Sequence, residues 1–101
     1  MKNELFLNLK TMHTLRIVHR DVKEVNIGWS EKFEKWVFLD FGFTTCLRES
    51  IGEKSQTKFI GTFKYVIDEI QDLYYLGLSG KADFYYNDVV GLERSLRIIE
   101  R

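Results

Sequence analysis

Apolar residues near the N-terminus recur at steps of three and four residues, a spacing that is typical of one face of a helix. The recurring residues are Leu5, Leu7, Leu9, Met12, Leu15 and Val18. Asn3 is a candidate N-cap for this predicted first helix, because a side-chain oxygen at that position can accept a hydrogen bond from a free backbone amide. The next stretch, 17–26, mixes charged and apolar residues without a period, and we interpret it as an ordered loop.

The middle of the chain predicts one small β-hairpin and a long loop. Short runs of β-branched and aromatic residues at 25–29 and 36–39 flank a polar turn at 30–32, which is typical of a hairpin. Residues 42–61 are polar and rich in Thr, Ser and Lys, and ordered loops of that length are usually functional.

Two further helices are predicted in the C-terminal third. Residues 65–76 favour a short helix, which a break at 77–80 with two glycines would end. A final helix at about 87–100 would begin near Asn87 or Asp88, either of which could cap it. Its apolar residues cover more than one face, so it requires burial on several sides. The expected fold class is α+β, mainly helical.

Composition narrows the classes of function. The 101 residues carry 15 basic and 15 acidic side chains, one cysteine and no proline. Balanced charge gives no electrostatic reason to expect a nucleic-acid or membrane partner. One cysteine cannot form a disulfide framework, and no apolar run approaches the ~20 residues that span a bilayer. We therefore expect a single small domain in an intracellular, cytoplasmic setting.

The most informative segment reads H-R-D-V-K-E-V-N at 19–26 and is followed by D-F-G at 40–42. This pattern resembles the catalytic half of eukaryotic-type protein kinases, whose motif is H-R-D-x-K-x-x-N and then D-F-G. The lysine within the motif favours the serine/threonine type of that family.

The same residues suit phosphoryl transfer on chemical grounds. Asp21 could accept a proton from a substrate hydroxyl, and Lys23 could stabilise charge on the transferred group. Asn26 and Asp40 offer the oxygen ligands that Mg²⁺ prefers. A hairpin between Asn26 and Asp40 would bring its two ends together, as shared metal ions require.

The resemblance extends beyond the catalytic motif. Residues 61–69 read G-T-F-K-Y-V-I-D-E and resemble the family's G-T-x-x-Y-x-A-P-E segment, in which Thr62 would contact Asp21 and Lys23. The resemblance also implies that Glu69 belongs to the peptide site and that Arg20 can receive an activation-loop phosphate. Asp88 would be the aspartate of the buried central helix that holds the catalytic loop.

The resemblance implies that residues 1–101 form a partial protein kinase domain, a truncated C-terminal lobe with a small hairpin and a long activation loop. Its parts would be the catalytic loop 19–26, the D-F-G motif 40–42, the activation segment 40–69 and the central helix at about 87–100. ATP and Mg²⁺ would be the cofactors, with catalysis by Asp21 and Lys23 and cofactor contacts by Lys23, Asn26 and Asp40. A protein would be the substrate or partner, and an N-terminal lobe or a second copy would cover exposed apolar surface.

Some positions depart from the family pattern and leave two alternatives open. Glu24, Phe63 and Asp68 stand where the family places prolines, and Glu93 stands where its central helix has glycine. The 101 residues contain no glycine-rich loop and no nucleotide-gripping lysine of the N-terminal lobe. One alternative is a catalytically inactive binding or scaffold module. The other is a small-molecule phosphotransferase of kinase-like fold, against which the segment 61–69 argues.

Overall fold

A computed structural model describes residues 2–56, 62, 65–75 and 81–99 of this chain. Within these residues the elements, in chain order, are α1 (Lys2–Thr14), β1 (Ile17–Val18), a 3₁₀ turn (Glu24–Asn26), β2 (Ile27–Ser30), β3 (Lys35–Phe38), β4 (Thr45–Cys46), β5 (Ser55–Gln56), α2 (Asp68–Tyr75), β6 (Lys81–Ala82) and α3 (Phe84–Ile99). Three helices with short two-stranded sheets agree with the predicted α+β class.

The first helix is confirmed, but three of its predicted details are wrong. Asn3 lies inside α1 and therefore does not cap it. Leu15 lies beyond the last helical residue and is exposed, because Arg16 adopts a left-handed conformation (φ 62°) that turns the chain into β1. Val18 belongs to β1, where it is fully buried. The apolar period thus continues past the helix end into a buried strand.

The predicted hairpin is confirmed with slightly shifted ends. Strands β2 and β3 pair antiparallel, with Ile27 opposite Phe38 and Ser30 opposite Lys35. The rings of Trp29 and Trp36, which face each other across the strands, make an edge-to-face contact at 5.7 Å between centroids. Such aromatic cross-strand pairs stabilise a two-stranded ribbon.

The two predicted loops contain short paired strands. Strand β1 pairs with β4, so the stretch 17–26 is not entirely loop. Strand β5, within the long loop 42–61, pairs with β6 just before α3. The rest of that prediction, at 57–61, lies outside the described residues, as do residue 76 and the break predicted at 77–80.

The last helix begins earlier than predicted. It starts at Phe84, and neither Asn87 nor Asp88 caps it. Instead, the Oδ1 of Asp83 accepts a hydrogen bond from the Tyr86 amide at 3.0 Å, as an N-cap does. Asn87 and Asp88 are buried within the helix, where their side chains bind other parts of the chain. The predicted end at residue 100 lies outside the described residues.

Helix α3 lies between two apolar clusters and contributes to both. One cluster consists of Val18, Leu47, Val66, Ile67, Ile70, Ala82, Phe84, Tyr85 and Val90. The other consists of Leu5, Leu9, Val22, Phe38, Leu92 and Leu96. The prediction that the last helix is buried on several sides is therefore confirmed. Of the helices in the described ranges, none is long and apolar enough to cross a bilayer.

Candidate functional site

A buried carboxylate on α3 holds the start of the segment 19–26. One oxygen of Asp88, Oδ2, accepts hydrogen bonds from the His19 amide at 2.8 Å and bonds to Nε2 of His13 at 2.9 Å. The other, Oδ1, accepts from the Arg20 amide at 2.9 Å. Arg20 has a φ of 71°, so the backbone turns sharply where these two amides converge. The segment is thus tied to α3 and, through His13, to α1.

The imidazole of His19 sets the direction of the backbone that follows. Its Nδ1 accepts a hydrogen bond from the Asp21 amide at 3.1 Å, so the ring proton is on Nε2 and is donated to the Leu39 carbonyl at 3.0 Å. The ring is completely buried against Phe38 and Phe41. His19 therefore connects Leu39, the residue before Asp40, to the backbone of Asp21.

Four of the side chains predicted for the site form one hydrogen-bonded cluster. They are Asp21, Lys23, Asn26 and Thr62. The Thr62 hydroxyl donates to Oδ1 of Asp21 at 3.2 Å and accepts from Nζ of Lys23 at 2.9 Å. Nζ of Lys23 lies 3.8 Å from Oδ2 of Asp21.

Asn26 completes this cluster from the 3₁₀ turn. Its Nδ2 donates to the backbone carbonyl of Asp21 at 2.9 Å and to the Asp21 carboxylate at 3.2 Å. Both bonds use the amide nitrogen of Asn26, which leaves its oxygen, the atom that could bind a cation, outside them. The cluster therefore combines a carboxylate, an ammonium group and an amide oxygen within a few ångströms.

The hairpin brings Asp40 back toward this cluster along the backbone. The Leu39 amide donates to the Asn26 carbonyl at 2.7 Å, so Asp40 follows the residue that pairs with Asn26. Asp40 is exposed and adopts a left-handed conformation, with φ 50°. Its Oδ1 accepts the Gly42 amide at 3.2 Å. Asn and Asp tolerate this conformation better than most residues, because their short side chains can bond locally.

Arg20 links the segment 19–26 to the residues after D-F-G. Its Nε donates to the Phe43 carbonyl at 2.6 Å, and the residue is only 8% exposed. Burial lowers the pKa of this guanidinium, and the nearby Asp88 carboxylate acts in the opposite direction. The reception of a phosphate by Arg20 stays a prediction.

Glu69 lies apart from the four-residue cluster. It receives a hydrogen bond from Nζ of Lys54 at 2.6 Å in an exposed ion pair. It also lines a cleft of about 430 Å³ between the start of α2 and α3, together with Arg94 and Arg97. The structure thus places Glu69 at the end of the segment 61–69 predicted for peptide binding, of which it describes only 62 and 65–69.

Three contacts around the site were not predicted from the sequence. The Ile67 amide donates to Oδ1 of Asn87 at 2.9 Å, and the Tyr65 hydroxyl donates to Oε2 of Glu24. At Gly91, a Cβ atom would lie 2.8 Å from the Val22 carbonyl oxygen, so only glycine lets α3 approach the segment 19–26 this closely. The glycine inside a strongly apolar helix was the one available signal.

Comparisons with known proteins agree with the geometry. The chain is 33% identical over 86 residues to mitogen-activated protein kinase kinase 9 of Arabidopsis thaliana, covering 85% of this chain and 26% of that protein. It is 33% identical over 73 residues to a meiosis-specific serine/threonine-protein kinase of Schizosaccharomyces pombe, covering 69% of this chain and 16% of that protein. It is 38% identical over 94 residues to a probable LRR receptor-like serine/threonine-protein kinase of Arabidopsis thaliana, covering 89% of this chain and 10% of that protein.

The chain spans about a quarter or less of the length of these three curated relatives. No protein-family model matches it. The matches, at 33–38% identity, nevertheless cover 69–89% of this chain. Most of this chain is therefore a protein-kinase-like region, similar in sequence to curated serine/threonine protein kinases.

Proposed function

We propose that this chain carries the catalytic half of a serine/threonine protein kinase domain, which transfers the γ-phosphate of ATP to a protein hydroxyl. The observation that carries the proposal is the hydrogen-bonded set formed by Asp21, Lys23 and Thr62. Residues that lie 39 and 41 positions apart in the chain converge there. Phosphoryl transfer needs a proton acceptor and a cation at one place, and this set supplies both.

In this proposal Asp21 is the group that orients and deprotonates the substrate hydroxyl. Its carboxylate is oriented by the Thr62 hydroxyl and the Asn26 amide, and its backbone by His19. Lys23 places an ammonium group beside it, where it would offset charge on the phosphoryl group. Such groups are effective because they are already in position when charge develops.

Asn26 and Asp40 fit a magnesium ion by the chemistry of their atoms, since both present hard oxygen ligands. Among the described residues no group of three or more His, Cys, Asp or Glu side chains could hold a metal. Mg²⁺ usually takes one or two protein ligands and completes its shell with phosphate oxygens and water, so two such residues suffice. When bound, Mg²⁺ would neutralise phosphate charge, while Asn26 and Asp40 would fix its position relative to Asp21.

The domain assignment belongs to the same proposal. The chain would be a truncated C-terminal lobe with its catalytic loop at 19–26, its D-F-G motif at 40–42 and its activation segment at 40–69. Helix α3, Phe84–Ile99, would be the central helix. The hydroxyl that accepts the phosphoryl group would belong to a protein bound near Thr62 and Glu69.

Transfer of labelled phosphate from Mg-ATP to a mixture of serine- and threonine-containing peptides tests the proposal on the full chain. We expect Asp21→Asn and Asp40→Asn each to lower the rate about 100-fold or more, because loss of a positioned base or metal ligand has effects of that size. Asp72→Asn, an equivalent change at an exposed position of α2, is the matched control and should leave the rate unchanged. Transfer that survives both site variants would show that the assigned site is wrong.

A second candidate function, a binding or scaffold module without catalysis, is favoured by apolar side chains beside the site. Leu39, Phe41 and Phe43 are 44%, 53% and 42% exposed, and an N-terminal lobe or a second copy would cover them. Calorimetry with Mg-ATP discriminates between the two candidates. A binding heat that Asp40→Asn abolishes supports the kinase, whereas no heat together with a stable protein complex supports the scaffold.

A further inference from the structure

Glu24 makes a contact that a proline at its position could not make. It follows Lys23 directly and stands where the kinase pattern has proline. Its Oε2 accepts a hydrogen bond from the hydroxyl of Tyr65, 41 positions further along the chain. Tyr65 is 5% exposed and Glu24 is half-buried, so the bond is partly shielded from solvent at the edge of the Asp21 cluster.

The bond closes a ring of contacts that includes Thr62. The Tyr65 amide donates to the Thr62 carbonyl at 2.9 Å, so anchoring Tyr65 also fixes the backbone at Thr62. The Thr62 hydroxyl in turn contacts Lys23 and Asp21. Since Lys23 and Glu24 are neighbours, the ring runs from the catalytic loop through Tyr65 and Thr62 back to the same loop.

We propose that Glu24 and Tyr65 act as positioning residues, a clamp that holds Thr62 against Asp21 and Lys23. A hydrogen bond to an ionised carboxylate is about twice as strong as a neutral one, and here it joins two segments whose bonded residues are 41 positions apart. The contacts that form the clamp do not depend on whether the chain transfers phosphate. The role of the clamp in placing a substrate hydroxyl rests on the proposed kinase function.

Four variants of the full chain separate the clamp from general packing. Tyr65→Phe removes only the hydroxyl and keeps the buried ring, and Glu24→Ala removes the acceptor. The double variant tests whether the two changes act on one bond. Glu24→Gln keeps an acceptor oxygen and serves as the conservative rescue. Glu31→Ala, at an exposed carboxylate of the hairpin turn, is the matched control.

Hydrogen exchange of the Tyr65 amide and the NMR shift of the Thr62 methyl group are the readouts. We expect each single variant to speed exchange at Tyr65 about tenfold and to move the Thr62 signal, because charged hydrogen bonds contribute at least that much. The double variant should add nothing further, and Glu24→Gln should stay within about threefold of the parent. Exchange at His19, whose amide is bound by Asp88, should not change and reports that the fold is intact.

Exchange at Tyr65 that stays within twofold in both single variants would overturn the clamp, as would effects that multiply in the double variant. The same proteins then enter the phosphate-transfer assay, in which Tyr65→Phe should raise KM for the peptide acceptor about tenfold and leave KM for ATP unchanged. An active parent without that change overturns the role in substrate placement. A parent that transfers no phosphate overturns the proposed kinase function, while the exchange result still decides the clamp.

Discussion

Two of the stretches that contribute to the candidate site, 19–26 and 39–43, are built differently. In the first, His19, Asp21 and Asn26 are buried, and the amides of His19 and Arg20 bind a carboxylate from α3 nearly seventy residues away. In the second, the side chains at 39–43 are largely exposed, and the Asp40 carboxylate accepts a hydrogen bond from the Gly42 amide, two residues along. One stretch is part of the core, and the other lies over it.

The contacts between the two stretches explain the difference. His19 and Arg20 bind the second stretch through the carbonyl oxygens of Leu39 and Phe43, so its backbone is held while its side chains stay at the surface. Buried polar groups are costly unless they are paired, which is why the first stretch needs Asp88. The two carboxylates therefore differ in role: Asp88 anchors the buried stretch, whereas the Asp40 side chain stays exposed.

The largest effect is expected when the Asp88 carboxylate, which holds the first stretch, is replaced. Asp88→Asn replaces an acceptor that serves two buried amides and His13, and it places an NH₂ donor among donors. We expect it to lower the free energy of unfolding by about 3 kcal/mol. Asp40→Asn, the same change in the second stretch, should cost less than about 0.5 kcal/mol. Urea unfolding of both variants checks this, and equal losses would contradict the contrast between the two stretches.

A smaller effect is expected where α3 meets the first stretch. Gly91→Ala places a Cβ atom 2.8 Å from the Val22 carbonyl oxygen, so the helix and the loop must separate. Overpacking of this kind costs about 1–3 kcal/mol, of which the better helix propensity of alanine returns up to about 1 kcal/mol.

Gly28→Ala, in the hairpin, is the matched control for Gly91→Ala. Its Cβ atom would meet Leu39 at 3.0 Å, and the contacted atom is the end of a flexible, partly exposed side chain. We expect a change within about 0.5 kcal/mol, measured by thermal or urea unfolding. A Gly91→Ala protein as stable as the parent would mean that the close approach of α3 is not needed.

The smallest effect is expected at the exposed end of the segment 61–69. Lys54→Gln removes the ion pair with Glu69. The side chain of Lys54 is 59% exposed and that of Glu69 is 36% exposed. Such pairs contribute about 0.2–1 kcal/mol and are screened by salt. Unfolding at low and high ionic strength should therefore show a loss below about 0.5 kcal/mol that vanishes in salt. A larger loss of stability that does not depend on salt would show that the Lys54–Glu69 pair supports the fold as the buried contacts do.

Local patterns predicted several parts of this molecule. The helix at Lys2–Thr14, the hairpin of β2 and β3, and the helix within 65–76 follow from periodicity and propensity. The resemblance to the protein kinase motifs predicts that Asp21, Lys23, Asn26 and Thr62 belong to one site, and the structure brings them together. These predictions worked because each depends on neighbours in sequence or on a pattern of fixed spacing.

Other features were misread because distant residues decided them. Polar residues before an apolar run are typical caps, so the sequence predicts that α3 begins near Asn87 or Asp88, whereas both side chains are used in tertiary bonds. Local propensity cannot distinguish a capping carboxylate from one buried by a loop seventy residues away. The pairing of β1 with β4 escaped prediction for the same reason, since two-residue strands carry almost no pattern.

By itself, the sequence determined the presence of three helices, the β2–β3 hairpin and their apolar faces, because these depend on local periodicity and on residue type. Only the tertiary structure decided several other polar pairings: Asn87 with the Ile67 amide, Arg20 with Phe43, and Glu24 with Tyr65. Those choices follow from the cost of burying unpaired polar groups. That cost is not set until the chain has folded.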